Sequence, residues 1–262
     1  MCIFSFKRFW LKIILSNFFI YFSILSFLSI SQIIYAKEYI IEKKIEPHRL
    51  TLTYFLMVDK VNSPLQSLAT LFNGSGRVAA DEFSKTINFL KRYNTDIFPD
   101  SMGFITQSYS DGCIDIDACW VVAYSTDDTG VLRSGAEVSR FPPLLDTINW
   151  AIENENQLIV GPPFYDENGN ARSYFALTVR NTRQFGVVLS IIDYNKIYNR
   201  MKSNWKVDDI FFDLSIKGYI DKKYSEPFPL IRSHEKSFVK KGFEKFEFHN
   251  VIFLTSWKDK VN

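Results

Sequence analysis

The run Val58-Asp59-Lys60-Val61-Asn62-Ser63-Pro64-Leu65-Gln66-Ser67-Leu68-Ala69-Thr70-Leu71-Phe72-Asn73-Gly74-Ser75-Gly76 decides how the rest of the chain is read. Val58, Val61, Leu65, Leu68 and Phe72 recur at steps of three and four, which is the period of one helix face. Ile40, Ile41 and Ile45 start a similar stripe upstream, so one long helix is expected over 37–72. Pro47 and Pro64 interrupt the pattern and could kink it. The Asn-Gly-Ser-Gly run ends it, with glycine expected as a left-handed cap.

Just before this helix, residues 13–36 carry no charge over 24 positions. As a helix they would cover roughly 36 Å, enough for a hydrocarbon core of about 30 Å. Lys7, Arg8 and Lys12 flank the N-terminal side, which keeps residues 1–12 in the cytoplasm by the positive-inside rule. Trp10 and Tyr35 stand near the two ends as interfacial aromatics do. Ile34-Tyr35-Ala36 also reads as a signal-peptide cleavage site, but the apolar stretch exceeds the usual core of such peptides. Either way residues 37–262 are expected outside the cytoplasm. The favoured form is a single-pass plasma-membrane anchor over 13–36, carrying a stalk over 37–76.

Further along, Asp81–Tyr93 reads as a helix with Phe83, Ile87 and Leu90 on its buried face. Met102–Tyr109 and Trp120–Ser125 read as strands. Pro142 and Pro143 open another helix, where a missing N–H is harmless. Gln157–Val160 is a strand, and Asn168-Gly169 marks the turn of a hairpin with arms Pro163–Tyr165 and Ala171–Val179. Phe185–Ile192 is an apolar strand and Tyr194–Met201 a short helix. Ile210–Ile216, Phe243–Phe248 and Val251–Trp257 are strand-like, and Ser225–Pro229, with two prolines, reads as a loop. The fold class is therefore α+β with antiparallel sheets. A larger unit over 77–193 would precede a smaller β unit over 194–262.

Composition narrows the function classes. The net charge is +2, from 31 basic and 29 acidic residues without a basic run, which gives no footprint for nucleic acid. His48, His234 and His249 lie far apart, so no metal pair is formed. No Gly-X-Ser-X-Gly elbow is present, so no catalytic residue, cofactor or metal is expected and the chain is not read as an enzyme. Asp111, Asp115 and Asp117 lack EF-hand spacing and read as a solvated loop. Cys113 and Cys119 in the same region read equally as a small-loop disulfide or as two free thiols.

Several stretches, in order, resemble the CHASE family of extracytoplasmic sensor domains. They are Pro64–Phe72, Phe83, Met102-Gly103-Phe104-Ile105, Trp120-Val121-Val122-Ala123-Tyr124, Gly135-Ala136-Glu137-Val138-Ser139-Arg140, Gly161-Pro162-Pro163-Phe164 and Phe185–Asp193. The resemblance implies a stalk helix carrying two PAS-like units, with a small-molecule ligand in the membrane-distal one. It also implies signalling through the membrane, by way of a separate kinase or cyclase since no output domain follows, and a homodimer formed through the stalk. A Gly-X-Asp segment of the family aligns with Gly135-Ala136-Glu137, so Glu137 stands where an Asp is common, which argues against a cytokinin ligand. Glu137, Tyr124, Phe164 and Phe175 are the candidate ligand-binding residues. The alternative is a structural or interaction protein of the cell envelope that binds a partner through stalk and sheet.

Overall fold

The computed structural model describes residues 47–94, 98–108, 119–127, 130–205, 210–220, 227–232 and 239–259. Helix α1 is Pro47–Gly74 and α2 is Ala80–Tyr93. Strands β1 (Ser101–Ser108) and β2 (Cys119–Ser125) follow, then α3 (Pro142–Glu153), β3 (Ile159–Val160), β4 (Phe164–Tyr165), β5 (Ala171–Arg180) and β6 (Phe185–Asp193). After α4 (Tyr194–Trp205) come β7 (Ile210–Tyr219), β8 (Phe228–Ile231), β9 (Val239–Phe248) and β10 (Val251–Asp259). The fold is α+β with two antiparallel sheets. The first runs β2-β1-β6-β5-β3, with β4 also on β5; the second runs β8-β7-β10-β9.

Helix α1 links the two sheets because its apolar stripe is long enough to meet both. Phe55 packs on Phe246, Phe248 and Phe253 of the second sheet at 4.3, 5.4 and 4.9 Å between ring centroids. Phe72, about 26 Å further along the axis, stacks on Phe104 of the first sheet at 4.1 Å. Val58, Val61, Leu65 and Leu68 between them are buried, as the periodicity requires. The end of α1 differs from the glycine cap expected: neither Gly74 nor Gly76 has positive φ. Instead the Asn181 side-chain amide, from the turn between β5 and β6, donates to Phe72 O (2.6 Å) and Ser75 O (2.7 Å). A carbonyl cap from a distant turn does the work that a left-handed glycine does locally.

β6 is the central strand of the first sheet and is buried from Gly186 to Ile192. Its approach to β1 requires glycine at 186, since a Cβ there would lie 2.2 Å from Ile105 O. In the second sheet, Pro229 lies within β8, so the loop expected over Ser225–Pro229 gives way to a strand at its C-terminal end. β8 is an edge strand, where a missing N–H leaves no ladder bond broken. The anchor expected over 13–36 and the start of the stalk at 37–46 lie outside the described residues. No helix among the described residues is long and apolar enough to cross a membrane.

Candidate functional site

Alternation along β5 divides the first sheet into two faces. Phe104, Val188 and Leu177 are register partners in turn, and Phe104 stacks on α1. Phe175, two residues from Leu177, shares that helix-side face and is fully buried. Tyr124 belongs there too. It pairs with Phe104, stacks on Phe83 of α2 at 5.5 Å, and its hydroxyl donates to Val78 O at 2.9 Å.

Arg172, Tyr174, Ala176 and Thr178 project from the opposite face, which α3 covers: the Thr178 hydroxyl donates to Ala151 O at 2.5 Å. On this outer face Tyr174 is enclosed by Phe164, stacked at 5.0 Å, and by Phe141, edge-on at 6.0 Å. Phe141 and Phe164 also meet edge-on at 5.4 Å. Of the four expected binding residues, Phe164 thus lies with Tyr174, while Tyr124 and Phe175 lie on the other side of the sheet. Glu137 sits in the loop leading to Phe141. It forms an isolated bridge with Val121 and accepts a hydrogen bond from the Ser139 hydroxyl.

One strand step from Tyr174 lies a charged cluster. Arg172 reaches Asp166 at 2.7 Å, Asp193 at 3.6 Å and Asp100 at 4.0 Å, and Lys196 also pairs with Asp100. Three carboxylates against two cations leave the cluster acidic. Asp166 is set by the β4–β5 turn, whose Asn168 and Asn170 N–H groups both donate to its Oδ1 at 2.9 and 2.8 Å. Burial pushes the Asp166 carboxyl upward, but those N–H bonds and the Arg172 guanidinium outweigh it and hold it below the usual carboxylate range. Burial raises the Tyr174 phenol well above its ordinary value; Arg172 pulls it down and Asp127 pushes it up, so both charges act at the hydroxyl.

Among the described residues, two buried polar atoms in this region have no hydrogen-bond partner: Arg172 Nε and Ser101 Oγ. Ser101 pairs with Ile191, which pairs with Tyr174, so the three lie in one row across the outer face. An unpaired buried donor costs about 1–3 kcal/mol, a cost that a polar group arriving at the site would remove. Arg172, Tyr174, Asp166 and Asp193 were not among the residues singled out from the sequence. Their signal was available in an arginine alternating with small and aromatic residues in an otherwise apolar strand. Cys119 opens β2 and is disulfide-bonded; Cys113 lies outside the described residues.

No family model and no curated protein matches the sequence. Among solved structures, the chain is similar to the ligand-binding domain of the Pseudomonas aeruginosa amino-acid chemoreceptor PctC in complex with GABA. The identity is 12%, over 79% of this chain and 94% of that one, with a TM-score of 0.49. It is also similar to the periplasmic sensory domain of the Campylobacter jejuni chemoreceptor Tlp1, at 9% identity over 79% and 88% of the two chains, with a TM-score of 0.46. A third is the ligand-binding domain of Pseudomonas fluorescens chemoreceptor CtaA in complex with L-leucine, at 11% identity over 81% and 93%, with a TM-score of 0.42. At these values the likeness carries no functional argument.

Proposed function

We propose that the chain is an extracytoplasmic sensor that binds a small amine-bearing molecule on the outer face of its first sheet. The observation that carries this reading is the coincidence of three features at one place: an aromatic enclosure (Tyr174, Phe141, Phe164), an acidic cluster, and unpaired buried polar atoms at Arg172 and Ser101. Aromatic walls with a few convergent polar groups are what a small-molecule site needs. The excess of carboxylates favours an ammonium, and Arg172 Nε is a donor for an acceptor on the same ligand. The reading includes a CHASE-type arrangement with an anchor over 13–36, a stalk that dimerises, and output through a separate kinase or cyclase. The alternative, an interaction protein of the envelope, draws support from the exposed Leu52 and Leu56 on α1 and from the exposed Phe89–Tyr93 pair on α2.

A thermal-shift screen of amines, amino acids and carboxylates tests the sensor reading, since a ligand of the folded state raises the melting temperature. An amine that stabilises the chain, with the shift lost in Tyr174→Ala and Asp193→Asn, is the expected result. Equal shifts in wild type and both variants would place the ligand elsewhere and refute the site.

A further inference from the structure

A concave region lies where the two sheets meet. It is a cavity of about 780 Å³ between the C-terminal end of α3, the Asn156–Ile159 approach to β3, and the β7 and β9–β10 ends of the second sheet. That size falls in the range of small-molecule sites, about 300–1,000 Å³. Its floor holds Trp150 and Tyr219, edge to face at 4.9 Å. Its rim carries the amide side chains of Gln66, Asn156 and Gln157, all exposed, with Glu153 and His249.

Asn156 (φ 68°) and His249 (φ 52°) are the non-glycine residues with positive φ among the described residues, and both line this cavity. Both are turn positions: Asn156 lies in the turn after α3, and His249 opens the two-residue β9–β10 hairpin turn, where left-handed backbone is ordinary. The surroundings hold the hairpin turn firmly. Asn250 Oδ1 accepts from Val160 N–H at 2.8 Å and its Nδ2 donates to Val160 O at 3.0 Å, so one side chain acts as a strand partner for β3. Next to it the Tyr219 hydroxyl donates to Gly161 O at 2.6 Å. The cavity is therefore a built junction between the sheets.

The lining chemistry selects the ligand. Among the described residues no lysine or arginine lines the cavity, while Glu153 does, which disfavours phosphates and carboxylates. Each amide presents both a donor and an acceptor, which matches hydroxyl groups, themselves both. The Trp150–Tyr219 floor offers an apolar aromatic surface. We propose that this cleft is a second ligand site, distinct from the acidic outer-face site, for a small neutral polyhydroxylated molecule of the mono- or disaccharide class. By its position against the Asn250–Val160 clamp, an occupant there braces the junction of the two sheets.

The test is saturation-transfer-difference NMR on the full chain, held in a detergent without a sugar headgroup. Glucose, N-acetylglucosamine and maltose are the probes. The expected result is transfer to the ring protons of at least one probe, reduced at least tenfold in Gln157→Ala and in Glu153→Ala and kept in Tyr174→Ala. Both rim residues are exposed, so these variants fold, and their unchanged melting temperatures without probe check this. Transfer that survives both rim substitutions, or that is lost in Tyr174→Ala, would overturn the proposal. So would the absence of transfer to all three probes, or spermidine binding that depends on Glu153 with no saccharide binding.

Discussion

Gly161 is the point at which α3, the first sheet and the second sheet converge, and it makes a sharp prediction. Its N–H donates to Tyr174 O at 2.8 Å and its carbonyl accepts the Tyr219 hydroxyl at 2.6 Å. A Cβ added here would lie 1.7 Å from Thr147 Oγ1, 2.9 Å from its Cγ2 and 2.8 Å from its Cβ. Thr147 is fully buried, and its hydroxyl donates to Pro143 O at 2.6 Å, so it cannot turn away without losing that bond. Overpacking costs about 1–3 kcal/mol and a lost internal hydrogen bond about 1 kcal/mol. Gly161→Ala is therefore expected to destabilise by roughly 2–4 kcal/mol. At about 2–4 °C per kcal/mol for a unit of this size, the melting temperature falls by roughly 4–16 °C. Circular dichroism during heating reads this directly. Adding Thr147→Ala removes Oγ1 and Cγ2 but leaves Cβ too close, so the double variant recovers part of the loss beyond additivity. A Gly161→Ala protein melting within about 1 °C of wild type, or a strictly additive double variant, would refute the packing argument.

Other outcomes follow from the same contacts. Asn250→Ala leaves both polar backbone groups of buried Val160 without their partner; a loss of about 1–3 kcal/mol is expected in urea unfolding. Burial depresses the His249 pKa below its ordinary 6.5, with Asp59 opposing, so the unfolded chain binds the proton more readily. Stability is then full above about pH 6.5 and falls as pH drops toward the folded value; His249→Asn, which tolerates the left-handed backbone, should flatten that slope in melting curves taken from pH 5 to 8. Phe55→Ala empties a position ringed by three phenylalanines and should cost about 3–5 kcal/mol, measured by chemical denaturation. Leu52 and Leu56, exposed one turn apart on α1, should bury each other's faces in a stalk dimer; sedimentation of the double Glu variant should show monomer, and a wild type that is monomeric at the same concentration would sink the dimer reading.

Much of the fold was legible because it is written in local periodicity. The buried stripe of α1, the Phe83–Ile87–Leu90 face of α2, the Pro142–Pro143 helix start and the Asn-Gly turn each depend on residues within a few positions. What was not legible depends on distant partners. The cap on α1 comes from Asn181, and the edge of β3 turned away from β5 is bonded by the side chain of Asn250; neither leaves a local signature. Proline hid β8 because an edge position, which a sequence does not reveal, is what makes Pro229 tolerable. The site residues were read for aromatic content, and aromatics on a strand do not announce their face. Only the register ties Phe175 to Phe104 and α1, and Tyr174 to Phe141 and Phe164. Counting alternation from Arg172 would have separated them.

That alternation also bears on how a signal could leave the site. In β5 the outer-face residue Tyr174 is bonded to Phe175, which faces α1; in β6 Ile191 and Ser190 stand in the same relation. A ligand that shifts the outer row must move the inner row through the same backbone, because a single sheet separates them. The inner row is not uniformly close-fitted. Asn62 Oδ1 on α1 and Ser190 Oγ on β6 are buried without a hydrogen-bond partner, so the helix-to-sheet contact holds polar groups whose pairing another arrangement of α1 could improve. Against this stand the Phe72–Phe104 stack and the Asn181 cap, which fix the far end of the helix to the first sheet. A ligand can bias such a balance only by its difference in affinity for the two arrangements. Moving the population from 1:99 to 99:1 needs about 5.5 kcal/mol of that difference. Pairing Arg172 Nε and Ser101 Oγ, at about 1–3 kcal/mol each, counts toward that figure only to the extent that one arrangement of α1 presents these atoms to the ligand and the other does not.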